Sequence, residues 1–194
     1  MFKLNSIVLN KSKDKSIIFV HGFYANAGYW LPYVSAFQEY KLVLLNLDYG
    51  SILQSEVLLN QAIVEIEHLA LSINVKAIVG HSLGTIISNK IDLKGIARYD
   101  ICPVGDADRI DSNQFISDIH SLVGHSKSEI KNNLELLDQL FPLLIASNSP
   151  NTYKYIPTSD RYFSYHNKGE NFVIFDGDHF DVINAIEEIV EKIN

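Results

Sequence analysis

The pentapeptide Gly80-His81-Ser82-Leu83-Gly84 lies between the apolar run Lys76 to Val79 and a stretch, Thr85 to Lys90, that can continue as a helix. A G-x-S-x-G pattern in that setting predicts a nucleophile elbow, a sharp strand-to-helix turn that lifts the serine hydroxyl above the end of a sheet. Gly80 and Gly84 lack the side chains that such a turn would drive into the strand and helix beside it. The competing reading is an ordinary glycine-containing turn, so the choice rests on what else the chain supplies.

A serine hydroxyl is a poor nucleophile at neutral pH and needs an imidazole to take its proton and later return it to the leaving group. Of the seven histidines, His179 is best placed. Phe175-Asp176-Gly177-Asp178-His179 follows the last predicted strand, at the sheet edge where Ser82 emerges. A carboxylate should hold that imidazole in one tautomer, and Asp160 in Thr158-Ser159-Asp160-Arg161-Tyr162 follows the penultimate strand, giving the chain order Ser, Asp, His. Asp160 can equally cap a helix beginning at Arg161. Asp106 and Asp108 could reach the same histidine, and Asp176 and Asp178 are near it in sequence. For the oxyanion of an acyl-transfer step, the backbone N–H groups of Leu83 and Phe23 are the expected donors. Phe23 lies in His21-Gly22-Phe23, just after an early strand, and the His21 side chain is expected to brace that loop without transferring protons.

These residues need a sheet to hold them. Ile7 to Leu9, Ser16 to Val20, Lys41 to Leu47, Lys76 to Val79, Ile96 to Val104, Tyr153 to Ile156 and Asn171 to Phe175 read as strands. Lys41 to Leu47 is nearly all apolar, as in a strand covered on both faces. Between them, Gly28 to Tyr40, Ser55 to Ile73, Thr85 to Lys90 and Val182 to Ile193 read as helices. Asp111 to Ala146 is helical in pattern, with breaks near Gly124 and Pro142 and an apolar set that includes Phe115, Ile119, Leu122, Leu134, Leu137, Leu140 and Phe141. Alternation of this kind predicts an α/β fold, a mostly parallel central sheet with helices on both faces. One domain over residues 1–194 is expected, with a short helical cap at about 111–146.

Composition sets outer limits. A chain of 194 residues buries roughly 70% of its unfolded surface on folding. Its charge of −7 and pI near 5.4 argue against nucleic-acid binding, which draws on lysine and arginine. The single cysteine, Cys102, excludes an internal disulfide and a cysteine-rich zinc site, and the histidines lack a zinc spacing. No secretory leader and no apolar run long enough for a bilayer are evident. A cytoplasmic protein with no metal, no cofactor and no membrane association is expected.

The elbow, the His-Gly loop and the ordered acid and base together resemble the α/β-hydrolase superfamily over the whole chain. Within it, His21-Gly22-Phe23-Tyr24-Ala25-Asn26-Ala27-Gly28-Tyr29-Trp30 is similar to the oxyanion loop of the pimeloyl-acyl carrier protein methyl ester esterases of biotin synthesis. The resemblance implies Ser82, Asp160 and His179 as a catalytic triad, Phe23 beside the oxyanion hole, and a methyl ester on an acyl chain borne by acyl carrier protein. The chain is short for that family, which implies a reduced cap. The cap is also poor in arginine, where an acidic carrier favours a basic landing surface. The expected reaction is hydrolysis of an acyl ester through an acyl-enzyme. An acyl thioesterase, a general small-ester esterase, a non-enzymatic binding protein on the same scaffold, and a lyase or cofactor-free oxygenase are the alternatives. Apolar cap residues would line an acyl pocket or simply pack the helix pair; Phe115, Phe141 and Phe180 are the pocket candidates.

Overall fold

The computed structural model describes residues 4–91, 93–144, 151–165 and 171–194, and the side chains of all of these except 140–144. Its strands are β1 (Asn5–Leu9), β2 (Lys15–Val20), β3 (Lys41–Asn46), β4 (Asn74–His81), β5 (Ala97–Ile101), β6 (Ala107–Arg109), β7 (Thr152–Pro157), β8 (Phe163–Tyr165) and β9 (Phe172–Phe175). Its α-helices are α1 (Tyr49–Ile52), α2 (Glu56–Ser72), α3 (Leu83–Lys90), α4 (Ser112–Val123), α5 (Lys127–Leu144) and α6 (Ile183–Ile193).

Among the described residues, seven strands form one sheet in the order β1-β3-β2-β4-β5-β7-β9, with only β1 antiparallel to its neighbour. The central strands are apolar on both sides because both faces are covered. Ile18 and Val20 of β2, Val43 and Leu45 of β3 and Ile78 of β4 join the core that includes α2 and α3. Ile17, Phe19, Leu42, Leu44 and Val79 point the other way. There they meet α6 and a 3-10 helix, Ala27–Phe37, whose Trp30 and Phe37 rings pack 5.1 and 5.3 Å from Phe19. Burying side chains of this size stabilises the fold by roughly 2–3 kcal/mol each.

Several predicted elements differ from those observed. The helix expected over Gly28 to Tyr40 is the tighter 3-10 form and ends at Phe37; Pro32 inside it has no N–H for an α-helical bond. The strand expected over Ile96 to Val104 stops at Ile101, because Cys102 turns into positive φ (52°) and Pro103 follows, with a short 3-10 turn over Val104–Asp106. The helical break near Gly124 is present, and this glycine takes the left-handed conformation that ends α4. Pro142 makes no break, since α5 runs on to Leu144. Ile145 and Ala146, the end of the expected cap, lie outside the described residues, as do the side chains of Leu140 and Phe141. Among the described residues no helix is long and apolar enough to cross a membrane.

Candidate active site

The C-terminal ends of β2, β4, β7 and β9 bring His21, Ser82, Asp160 and His179 to one edge of the sheet. Ser82 sits between β4 and α3 with φ 52° and ψ −121°, a conformation that side-chain-bearing residues rarely adopt. Its N–H donates to the Ile101 carbonyl at 2.9 Å, tying the turn to β5. Gly84 is required by close approach: a Cβ there would stand 2.3 Å from the Val20 carbonyl oxygen and 2.6 Å from that of His21. The first turn of α3 therefore lies directly on the end of β2.

Ser82 Oγ lies 3.0 Å from His179 Nε2, and His179 Nδ1 lies 2.8 Å from Asp160 Oδ2. With the carboxylate accepting from Nδ1–H, Nε2 is left to accept the serine proton. The Ser82 and His179 residues and the Asp160 side chain are almost fully buried. Asp160 also caps a turn, because its Oδ1 accepts the N–H groups of Tyr162 (2.9 Å) and Phe163 (3.1 Å) while Oδ2 accepts the Tyr165 hydroxyl (2.7 Å). Burial opposes ionisation of this carboxyl. The bond and charge of His179, with the Tyr162 N–H and Tyr165 hydroxyl, outweigh it and hold Asp160 below the ordinary carboxylate range. Three of the other candidate aspartates are committed elsewhere. Asp106 pairs with Lys154 at 2.8 Å, Asp176 accepts from Thr158 Oγ1, and Asp178 accepts the N–H groups of Phe180 and Asp181. Asp108 lies on β6.

What selects Asp160 is a feature the sequence reading missed, the two-stranded antiparallel ribbon of β6 and β8. Phe163 of β8 stacks on the His179 ring at 5.0 Å, and Tyr165, two residues on and so on the same face, reaches Asp160. A second missed residue is His81. Its Nε2–H donates to the His179 carbonyl at 2.7 Å, Tyr29 stacks on it at 4.7 Å, and Nδ1 has no partner among the described residues. Burial, and then the nearby His179, lower its pKa to about 3, so it is neutral. In the sequence it is merely the variable residue before the serine.

The loop after β2 is braced through His21. Its Nδ1–H donates to the Gly22 carbonyl at 2.8 Å, and Nε2 accepts the Leu47 N–H at 2.9 Å. Burial lowers its pKa to about 4, which suits a fixed neutral strut. The loop comes so near the elbow that a Cβ on Gly22 would lie 3.0 Å from Ser82 Cβ. Phe23 and Leu83, the expected oxyanion donors, both line a cavity of about 310 Å³ that opens on Ser82. Phe115, Leu134 and Leu137 of α4 and α5 form much of its apolar wall. Phe180 packs edge-on to His179 at 5.2 Å instead. Leu122, in the predicted apolar set, is 68% exposed. On the far side of Phe23 lies a second cavity of about 500 Å³, with Tyr24, Asn26, Asp48, His125 and Glu129 among its walls.

Among the described residues, one group has metal-ligating atoms close together, Cys102, Asp160 and His179, within 4.8 Å of one another. Asp160 and His179 are already bonded to each other, and burial raises the Cys102 thiol well above its ordinary pKa, so the thiolate a metal needs is disfavoured. These residues do not fit a metal.

No family model and no curated protein matches this sequence. Solved structures do. An α/β superfamily hydrolase from Oenococcus oeni is 15% identical with a TM-score of 0.64, covering 97% of this chain and 93% of its own. SrfTE, the thioesterase domain that cyclises the lipopeptide antibiotic surfactin, is 11% identical with a TM-score of 0.61, over 97% and 95% of the two chains. The bottromycin epimerase BotH is 11% identical with a TM-score of 0.61, over 98% and 93%. The fold is thus that of the α/β hydrolases. An epimerase among the neighbours shows that the fold leaves the reaction open, so function must be argued from the site.

Proposed function

We propose that this protein hydrolyses carboxylic esters through an acyl-enzyme on Ser82. The observation that carries the reading is the buried line from Ser82 through His179 to Asp160, opening on an apolar cavity. Ser82 Oγ attacks the ester carbonyl as His179 Nε2 takes its proton, and Asp160 stabilises the imidazolium. The backbone N–H groups of Phe23 and Leu83 receive the negative charge that develops on the carbonyl oxygen. His179 then protonates the departing alcohol, and a water activated by the same imidazole releases the acid. The acyl chain occupies the apolar cavity, and the alcohol leaves past Phe23 toward the polar one.

A binding protein would have no use for a strained serine aligned with a base and an acid. Thioester cleavage uses the same steps and is the second reading, favoured by the thioesterase among the structural neighbours. The loop from His21 to Trp30 makes the methyl ester of a pimeloyl chain on acyl carrier protein the named substrate to try first.

The test compares native protein with Ser82→Ala on short p-nitrophenyl esters, a short acyl thioester and the carrier-borne methyl ester. Native turnover reduced by roughly 10⁴-fold or more in the variant is expected. The preferred substrate then separates carrier esterase, thioesterase and general esterase. Turnover indifferent to Ser82 would sink the assignment. Labelling of Ser82 by a fluorophosphonate with no ester or thioester cleaved would leave an activated serine and remove the hydrolase.

A further inference from the structure

The cavity above Ser82 is mainly apolar, and its charged wall is formed by Asp108 and Arg109 of β6 and by Asp138 of α5, which Arg109 meets. Arg109 Nη2 lies 2.8 Å from Asp138 Oδ1, and Nη1 lies 3.3 Å from Oδ2. Directly across the ribbon from Arg109 is Phe163, the residue stacked on His179. Opposed residues of an antiparallel pair project to the same face, so the guanidinium shares the catalytic side of the ribbon. A guanidinium carries five N–H donors. Two go to Asp138, one from each Nη, which leaves the second N–H of each Nη for another acceptor; the Nε–H is buried and has no partner among the described residues.

A strut between ribbon and helix is one role for this pair. An ion pair whose aspartate is 54% exposed adds little to stability, however. Nor does a plain hydrocarbon chain suit the cavity, because it would strip water from the guanidinium and offer no acceptor in return. A free carboxylate would have to compete with Asp138, which already neutralises the arginine. A neutral carbonyl meets neither objection: it accepts from the unused guanidinium donors while the ion pair stays intact.

We propose that Arg109 is a specificity residue of the acyl cavity and that the preferred acyl chains carry an uncharged carbonyl, of an amide or oxo group, where they pass it. The assignment rests on the ester-hydrolase reading of Ser82, and its test keeps the two apart. Three p-nitrophenyl esters of similar length are compared: heptanoate, 4-acetamidobutanoate and the mono-ester of adipic acid. Native protein favours the acetamido ester by at least about tenfold in kcat/KM, and Arg109→Met removes most of that advantage. Asp138→Asn moves the preference toward the carboxylate-ended ester. A native enzyme that prefers the adipate ester, or an Arg109→Met variant that slows all three esters in the same proportion, overturns the proposal. Binding of the acetamido ester to Ser82→Ala protein, followed by calorimetry, separates the two readings. Arg109-dependent binding without turnover in native protein keeps the specificity residue and removes the reaction. Ser82-dependent turnover with no preference among the esters does the reverse.

Discussion

The two ends of the eight-residue helix α3 could hardly be treated more differently. The N-terminal end begins at Ser82, whose backbone is in a rare conformation and whose side chain does not cap the helix. The leading N–H groups there have no intrahelical acceptor and are available to an oxyanion. The C-terminal end is clamped. Arg98, 2% exposed, donates to the Ser88 carbonyl at 3.2 Å and the Ile91 carbonyl at 2.5 Å. Asp100, fully buried, accepts from Ser88 Oγ at 3.2 Å and Asn89 Nδ2 at 2.6 Å. A helix can carry strain and unmet donors at one end when its other end is held by the surrounding structure.

Two substitutions test this contrast at its strongest points. At the reactive end, Asp160→Asn leaves the fold in place but stops holding His179 in the tautomer that accepts from Ser82. A loss of roughly a thousand-fold or more in kcat is expected, with a near-native unfolding midpoint. An Asp160→Asn protein that keeps most of its activity would show that the base needs no carboxylate. At the anchored end, Arg98→Met keeps the side-chain stem and removes its donors, so buried carbonyls of α3 lose their partners. Destabilisation by about 3 kcal/mol or more is expected in urea unfolding. If α3 also transmits that anchorage, kcat of the remaining folded protein drops about tenfold, measured well below the unfolding midpoint.

The same contrast explains which parts of the site could be read from the sequence. Ser82 was legible because an elbow needs glycines at fixed offsets between a buried strand and a helix, and His179 because topology places it at the same sheet edge. The carboxylate beside His179 was harder. Asp176 and Asp178 are closer to His179 along the chain, and only the β6–β8 ribbon, with three residues in each strand, shows why Asp160 reaches it. Strands so short carry no alternation from which to predict them. The anchorage by Arg98 and Asp100 was equally hidden, because a buried ionisable side chain inside a strand has no local signature; its partners come from the end of a helix earlier in the chain. His81 was overlooked since its role depends on a carbonyl 98 residues away. The 3-10 form of Ala27–Phe37 was the exception, with Pro32 as an unused clue.

Titration separates the two ends again. At the reactive edge, His21 and His81 are neutral in the folded protein, with pKa values lowered from 6.5 to about 4 and about 3. Unfolding lets both take up protons, so they make stability rise as pH goes from about 4 to about 6.5. At the anchored end burial raises Asp100 from 3.8 to about 7, against its hydrogen bonds from Asn89 and Ser88. Folded Asp100 therefore keeps a proton that the unfolded chain releases, and its contribution falls as pH rises from about 4 to about 7. Two groups against one leave a net rise on the order of 3 kcal/mol across the window. Urea midpoints at pH 4.5, 5.5 and 6.5 measure the slope, and Asp100→Asn should steepen it by about one proton. An unchanged slope would mean that Asp100 is ionised in the folded state.

The smallest effect is the most direct measure of the strain itself. Ser82→Ala and Ser82→Gly both remove the hydroxyl and should be equally inactive, yet they differ in what the backbone must endure. Alanine keeps a Cβ at φ 52° and ψ −121°, whereas glycine adopts that region freely. Relief of a strained residue is worth about 1–3 kcal/mol, offset by the roughly 0.5–1 kcal/mol that glycine's greater freedom gives the unfolded chain. Ser82→Gly should accordingly be more stable than Ser82→Ala by about 1 kcal/mol. Equal stabilities would show that the elbow is relaxed. The anchorage at the far end of α3 would then be ordinary helix capping, with no strain for it to hold.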